Sequence, residues 1–166
     1  MKVLVLADTH VNDVGMLPER LRGELKSADM IIHAGDYTGK RLLEQLRASA
    51  GDFRGVYGNM DPEEIRRELK AKEIIEIEGI KIGVTHPSEG GSPVGLAARV
   101  RAKFKDEDPE PGVIIYGHSH EPQNEKMDNI LYLNPGSATG AFPARYKSFG
   151  VLTIENGVIR AEIVRV

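Results

Sequence analysis

Cysteine is absent from the 166-residue chain. That excludes disulfides and thiolate metal sites, so any metal must be held by nitrogen and oxygen. Long apolar runs are also missing. None approaches the ~18 residues that a membrane-spanning helix needs, and Met1 to Ala7 is too short for a signal peptide. The expectation is a soluble, cytoplasmic protein with no membrane partner. There is no excess of positive charge: the formal net charge is -3, which argues against general nucleic-acid binding on a basic surface. Internal repeats, linkers and low-complexity segments do not occur. What remains is 40% hydrophobic and 28% charged, enough for a packed core, and the length suits a single domain over residues 1–166.

The chain opens on Val3-Leu4-Val5-Leu6-Ala7, a continuous apolar run expected of a strand covered on both faces. Pro18 starts a helical pattern with Leu17, Leu21 and Leu25 on one side. Met30 to Ala34 reads as the next buried strand. Leu42, Leu43 and Leu46 mark a second amphipathic helix, and Phe53 to Tyr57 a weaker third strand. Asp61-Pro62-Glu63-Glu64 has the form of a helix start, with Asp61 as its N-cap. From Glu73 to Thr85 the pattern alternates around Glu78-Gly79, giving a hairpin of strands four and five. Ser92-Pro93 begins a helix with Leu96, Ala97 and Val100 inward. Val113 to Tyr116 is the sixth strand and Ile130 to Leu133 a further one. The tail is a hairpin turning at Asn156-Gly157. Strands alternating with helices and then mostly strands predict an α/β domain: two packed sheets, with a parallel core and antiparallel additions, flanked by helices.

Polar residues gather after the strands. Asp8 and His10 follow the first, Asp36 the second, Asn59 the third, His86 the fifth, and His118 and His120 the sixth. Ligands of open α/β sheets bind outside such strand ends. His118-x-His120 alone is a weak signal; on an extended backbone both rings would face one way, about 6–7 Å apart. Four of the five histidines join Asp8, Asp36 and Asn59, which is enough for two metal ions if one carboxylate bridges. Two carboxylates crowded without cations would repel until one took up a proton. Two divalent ions leave a net positive centre for a phosphate and lower the pKa of bound water toward ~7.

These residues, Asp8-x-His10, Gly35-Asp36, Gly58-Asn59, His86 and Gly117-His118-x-His120, resemble the calcineurin-like metallophosphoesterase superfamily. Asn134-Pro135-Gly136-Ser137 and the short length resemble its small prokaryotic phosphodiesterase branch. The resemblance implies a four-layer α/β/β/α sandwich of two mixed sheets, and hydrolysis of small phosphodiesters by a metal-bridging hydroxide. It implies that Asp8, His10, Asp36 and His120 hold one divalent ion and that Asp36, Asn59, His86 and His118 hold the other, the latter four also being catalytic. Manganese is the first choice; iron, nickel, cobalt and zinc suit the same donors. Relatives imply a homo-oligomer, for which an exposed sheet edge is the candidate contact. The pattern departs at Met60, where many relatives place a histidine that assists the leaving group, and at Pro87-Ser88-Glu89-Gly90-Gly91.

Local readings compete. His33 lies inside an apolar strand and is expected to be a hydrogen-bonded core or supporting histidine, not a ligand. Thr9 and Asn12 lie beside ligands and are candidates for phosphate contact. Gly136 and Ser137 either offer N–H groups to the site or form a turn, and Arg145 faces either substrate or a neighbouring subunit. Alternatives for the whole chain are a phosphomonoesterase and a non-catalytic scaffold. A retromer scaffold subunit resembles the same branch, but erosion of the histidines would be expected of it. Neither a basic groove nor an added domain points to a nuclease.

Overall fold

In the computed structural model the described residues are 1–87, 89 and 94–166. Among the described residues ten strands form two five-stranded sheets. The first sheet has β1 (Lys2–Leu6) at its centre, parallel to β2 (Met30–Ala34), which is parallel to β3 (Asp52–Val56). On the other side β9 (Ser148–Glu155) runs antiparallel to β1, and β10 (Val158–Arg165) antiparallel to β9. The second sheet is ordered β4 (Lys72–Ile77), β5 (Ile80–Thr85), β6 (Val113–Tyr116), β8 (Ile130–Asn134) and β7 (Gln123–Met127). Its central strands β5, β6 and β8 are parallel, and its edges are antiparallel.

Strand periodicity builds the layers. Val3 and Val5 of β1 meet Ile82, Val84, Val113 and Ile115 of the other sheet in the central core. Leu4 and Leu6, pointing the opposite way, pack on Leu21 and Leu25 of α1 (Glu19–Leu25), Leu42, Leu43 and Leu46 of α2 (Lys40–Ser49), and Ile65 of α3 (Glu63–Glu68). The outer face of the second sheet, through Ile114 and Tyr116, packs on Leu96 and Val100 of α4 (Leu96–Ala102) and on Phe104. The result is the expected α/β/β/α sandwich. Each fully buried Val, Leu or Ile contributes about 1.5–3 kcal/mol, so the three interfaces together supply the driving force.

Several local expectations are corrected. Asp61 does not cap α3: the helix starts after Pro62 with no side-chain cap, and the Asp61 carboxylate points under the site. The backbone at His118 and His120 is not extended, with φ of 80° and 59°. Strand β7 and a 3-10 turn at Val14–Met16 were not foreseen; β7 is almost entirely exposed and carries no apolar alternation. The helix start at Ser92-Pro93 and most of the Pro87 to Gly91 loop lie outside the described residues. Among the described residues no helix is long and apolar enough to cross a membrane.

Candidate metal centre

All seven expected site residues converge at the carboxyl ends of β1, β2, β3, β5 and β6. They fall into two groups. Asp8, His10, Asp36 and His120 each offer a ligand atom, and those atoms lie within 4.8 Å of one another. His120 Nε2 is 3.3 Å from His10 Nε2 and 3.5 Å from Asp8 Oδ1. The second group surrounds Asn59 Oδ1, which is 3.0 Å from His86 Nε2 and 3.0 Å from His118 Nδ1. Asp36 Oδ2 lies between the groups, 3.6 Å from His10 Nε2 and 3.6 Å from His86 Nε2. His118 and His120 therefore serve different groups, as their left-handed backbone allows and an extended one would not.

Local backbone forces this convergence. Asp8, His10 and Asp36 have φ of 50°, 48° and 61°, a region that non-glycine residues rarely occupy and that costs on the order of 1–3 kcal/mol each. Tertiary hydrogen bonds hold it. Asp8 N–H donates to Gly35 O and His10 N–H to Asp36 O, while His118 N–H donates to the Asp8 carboxylate at 2.9 Å. Met60 contributes its backbone, donating N–H to Asp36 Oδ1 at 2.8 Å, while its side chain is exposed. The glycines before the ligands are needed for close approach. A Cβ on Gly58 would sit 2.1 Å from Asp36 Oδ1, and one on Gly35 2.6 Å from His86 Nδ1.

Beneath the site, Asp61 accepts four backbone N–H groups. Oδ1 takes those of Tyr37 (2.7 Å) and Thr38 (2.9 Å), and Oδ2 those of Asp36 (2.9 Å) and Gly58 (2.7 Å). One carboxylate thus ties the Asp36 loop to the Asn59 loop. Arg66 donates to the carbonyls of Gly58, Asn59 and Asp61. Asn134 braces the other side, its Nδ2 donating to Ser119 Oγ and Gly117 O. These supports were missed in the sequence. A buried polar residue at a strand end was the available signal for Asn134; Asp61 was hidden by its match to a helix cap.

Burial and charge shape the protonation. Burial, with the charge of Asp36 added, pushes the Asp8 carboxyl well above the usual range. Burial lowers His10, against the pull of Asp36, and depresses His86 to about 4. The tautomers follow from partners that only accept. His86 Nδ1 donates to Ala34 O at 2.7 Å and His120 Nδ1 to Ala141 O at 2.9 Å, leaving both Nε2 lone pairs turned into the site. Lone pairs and carboxylates facing one another across 3–4 Å repel unless a cation lies among them. An oxygen and nitrogen donor set of this kind, with imidazoles oriented by backbone carbonyls, fits divalent transition ions.

His33 is the supporting histidine expected. It is fully buried, stacked on Tyr37 with ring centroids 3.8 Å apart, and neutral because burial lowers its pKa well below the usual value. Its Nε2 meets Thr9 Oγ1 at 3.0 Å, which turns Thr9 inward and away from any phosphate. The Gly136 N–H donates to Asn134 Oδ1, and Ser137 Oγ donates to Asp8 O, so this segment braces the site. Asn12 is exposed, against Gly39, and Arg145 is exposed, 3.5 Å from Glu121.

A two-sheet sandwich with carboxylates and imidazoles gathered at its strand ends defines an α/β/β/α protein with a candidate metal-binding centre. The chain matches the calcineurin-like phosphoesterase superfamily domain over residues 1–157 and belongs to that superfamily. It is 38% identical over 140 residues, 84% of this chain and 69% of the other, to a protein of Methanocaldococcus jannaschii described as a "Probable metallophosphoesterase". A phosphodiesterase of the same organism is 27% identical over 99% of both chains. Among solved structures, Vps29 of Entamoeba histolytica complexed with zinc superposes with a TM-score of 0.75, at 28% identity over 99% of both chains.

Proposed function

We propose that this protein is a phosphodiesterase that hydrolyses small phosphodiesters at a centre of two divalent metal ions, manganese first among them. The observation that supports the reading is the distance of 3.6 Å from Asp36 Oδ2 to a histidine of each ligand group, as a carboxylate shared by two ions would require. Asp8, His10, Asp36 and His120 would hold one ion, and Asp36, Asn59, His86 and His118 the other. When bound, the ions would supply hydroxide at neutral pH and positive charge for the phosphoryl oxygens. The chain's own residues aim the donors: Ala34 O and Ala141 O fix the ring tautomers, and Asp61 fixes the two loops.

The Met60 side chain has no proton to give, so leaving groups that depart as stable anions are favoured over alkoxides. Diesters are favoured over monoesters, because a dianion would call for more cationic help than these residues give. A cytoplasmic site of action and a homo-oligomer are parts of the same proposal. Elemental analysis after metal loading, with aryl mono- and diester assays on one sample, is the test. About two ions per chain and a diesterase activity abolished by a chelator are expected; faster monoester cleavage would overturn the choice of substrate.

A second reading, a protein-binding module on the same fold, draws on the likeness to Vps29. The full set of ligand residues weighs against it. His86→Ala should abolish turnover and weaken metal binding; a protein inactive with every divalent ion, whose partner binding survives that change, would support the module.

A further inference from the structure

The loop after Ser137 carries the features that the metal centre does not use. The chain has four Phe and five Tyr, all among the described residues, and of these only Phe142 is exposed, at 94%. It does not sit on a loose segment. Ala141 N–H donates to Ser137 Oγ, Ala144 N–H donates to Ala141 O, and Ser148 N–H donates to Ser137 O. Tyr146, farther along, lies beneath the Arg165 guanidinium at 3.8 Å. The loop is also tied to the centre itself, because Ala141 O accepts from His120 Nδ1 at 2.9 Å. Covalent geometry then puts the Phe142 Cα within about 8 Å of His120 Nε2.

Three residues on, Arg145 extends its side chain into solvent at 82% exposure, paired among the described residues with Glu121, the residue after His120, at 3.5 Å. Glu121, Pro122, Arg145 and Tyr146 line an open notch of about 220 Å³ beside this pair. An exposed aromatic ring and a guanidinium, on a rigid support at the edge of a phosphoryl-binding centre, are the two groups on which planar heteroaromatic rings stack.

We infer that Phe142 and Arg145 form the specificity arm of the site, which receives a planar nucleobase carried by the substituent that stays on phosphorus, not by the leaving group. This rests on the phosphodiesterase reading, so the test separates the two. Two esters with the same leaving group are compared on the manganese-supplemented full chain: the p-nitrophenyl ester of thymidine 5'-monophosphate and methyl p-nitrophenyl phosphate. Phe142→Ala should raise KM for the thymidine ester about tenfold, within the range measured for base stacking, with kcat kept and the methyl ester unaffected. Phe142→Tyr should retain the wild-type KM. In parallel, calorimetry should show thymidine 5'-monophosphate binding more tightly than methyl phosphate, with the difference lost in Phe142→Ala. Hydrolysis of both esters with equal KM in wild type and variant would overturn the arm and leave the phosphodiesterase standing. No turnover of either ester, with nucleotide binding that still depends on Phe142, would keep the arm and remove the hydrolase.

Discussion

At the scale of single residues, Asp61 shows how a side chain outside the ligand set governs it. Its two oxygens accept from four backbone N–H groups of the Asp36 and Asn59 loops. Burial pushes its pKa up, and the N–H groups of Gly58, Thr38 and Asp36 oppose that. Asn has nearly the same shape but one acceptor oxygen, and its NH2 would face two of the donors. Asp61→Asn should therefore cost about 3 kcal/mol, the scale for buried donors left without partners, read from the urea midpoint. It should also weaken metal binding although Asp61 touches no ion. Stability within about 0.5 kcal/mol of wild type, as for an ordinary surface change, would mean that the two loops hold their shape without it. The sequence made Asp61 look like a helix cap because Asp-Pro-Glu-Glu satisfies the local pattern. Three of the four donors that compete for it lie 23 to 25 residues earlier in the chain and leave no local trace. By contrast Asp8, His10, Asp36, Asn59, His86, His118 and His120 were legible because each follows an apolar run, and strand ends are where such folds bind ligands.

At the scale of elements, apolar period explains what could and could not be read. β1, β2 and β6 are buried on both faces and announce themselves. β7 has the sequence Gln-Asn-Glu-Lys-Met and is a strand only because β8 pairs with it along one side. A polar edge strand buries little and so carries no period; its polarity guards against edge-to-edge association. The packing of α4 supplies a sharper case. Gly83 in β5 leaves room for Phe104, and an added Cβ would lie 2.9 Å from two atoms of that ring. Strand propensity favours valine over glycine on a scale of ~1 kcal/mol, yet overpacking costs about 1–3 kcal/mol. Phe104 is fully buried, so the clash should win. Gly83→Val is expected to destabilise by about 2 kcal/mol in chemical denaturation, with amide shifts centred on α4 and metal affinity unchanged. A stabilised variant would show that the α4 layer yields freely.

At the scale of the molecule, the two ligand groups join the two sheets. β1, β2 and β3 of the first sheet bring Asp8, His10, Asp36 and Asn59, and β5 and β6 of the second bring His86, His118 and His120. A cation bound among them would link the sheets at one end of the sandwich. It should not be needed for folding, because the central core of Val3, Val5, Ile82, Val84, Val113 and Ile115 already joins them. The chelated protein is therefore expected to be folded with a single cooperative transition. Saturating manganese, at about 100 times the dissociation constant of a site, should add about 2.7 kcal/mol for each ion bound by mass action and move the whole transition upward. Hydrogen exchange can locate the effect. Because each ligand group takes residues from both sheets, chelation should hasten exchange at the carboxyl ends of β1 to β3 and of β5 and β6 alike. Protection lost in one sheet alone would assign the ion to that sheet's residues, and an unshifted transition would mean that these seven side chains hold no ion at all. A rise shared by both sheets would mark the metal as a clamp across the sandwich as well as the centre of its chemistry.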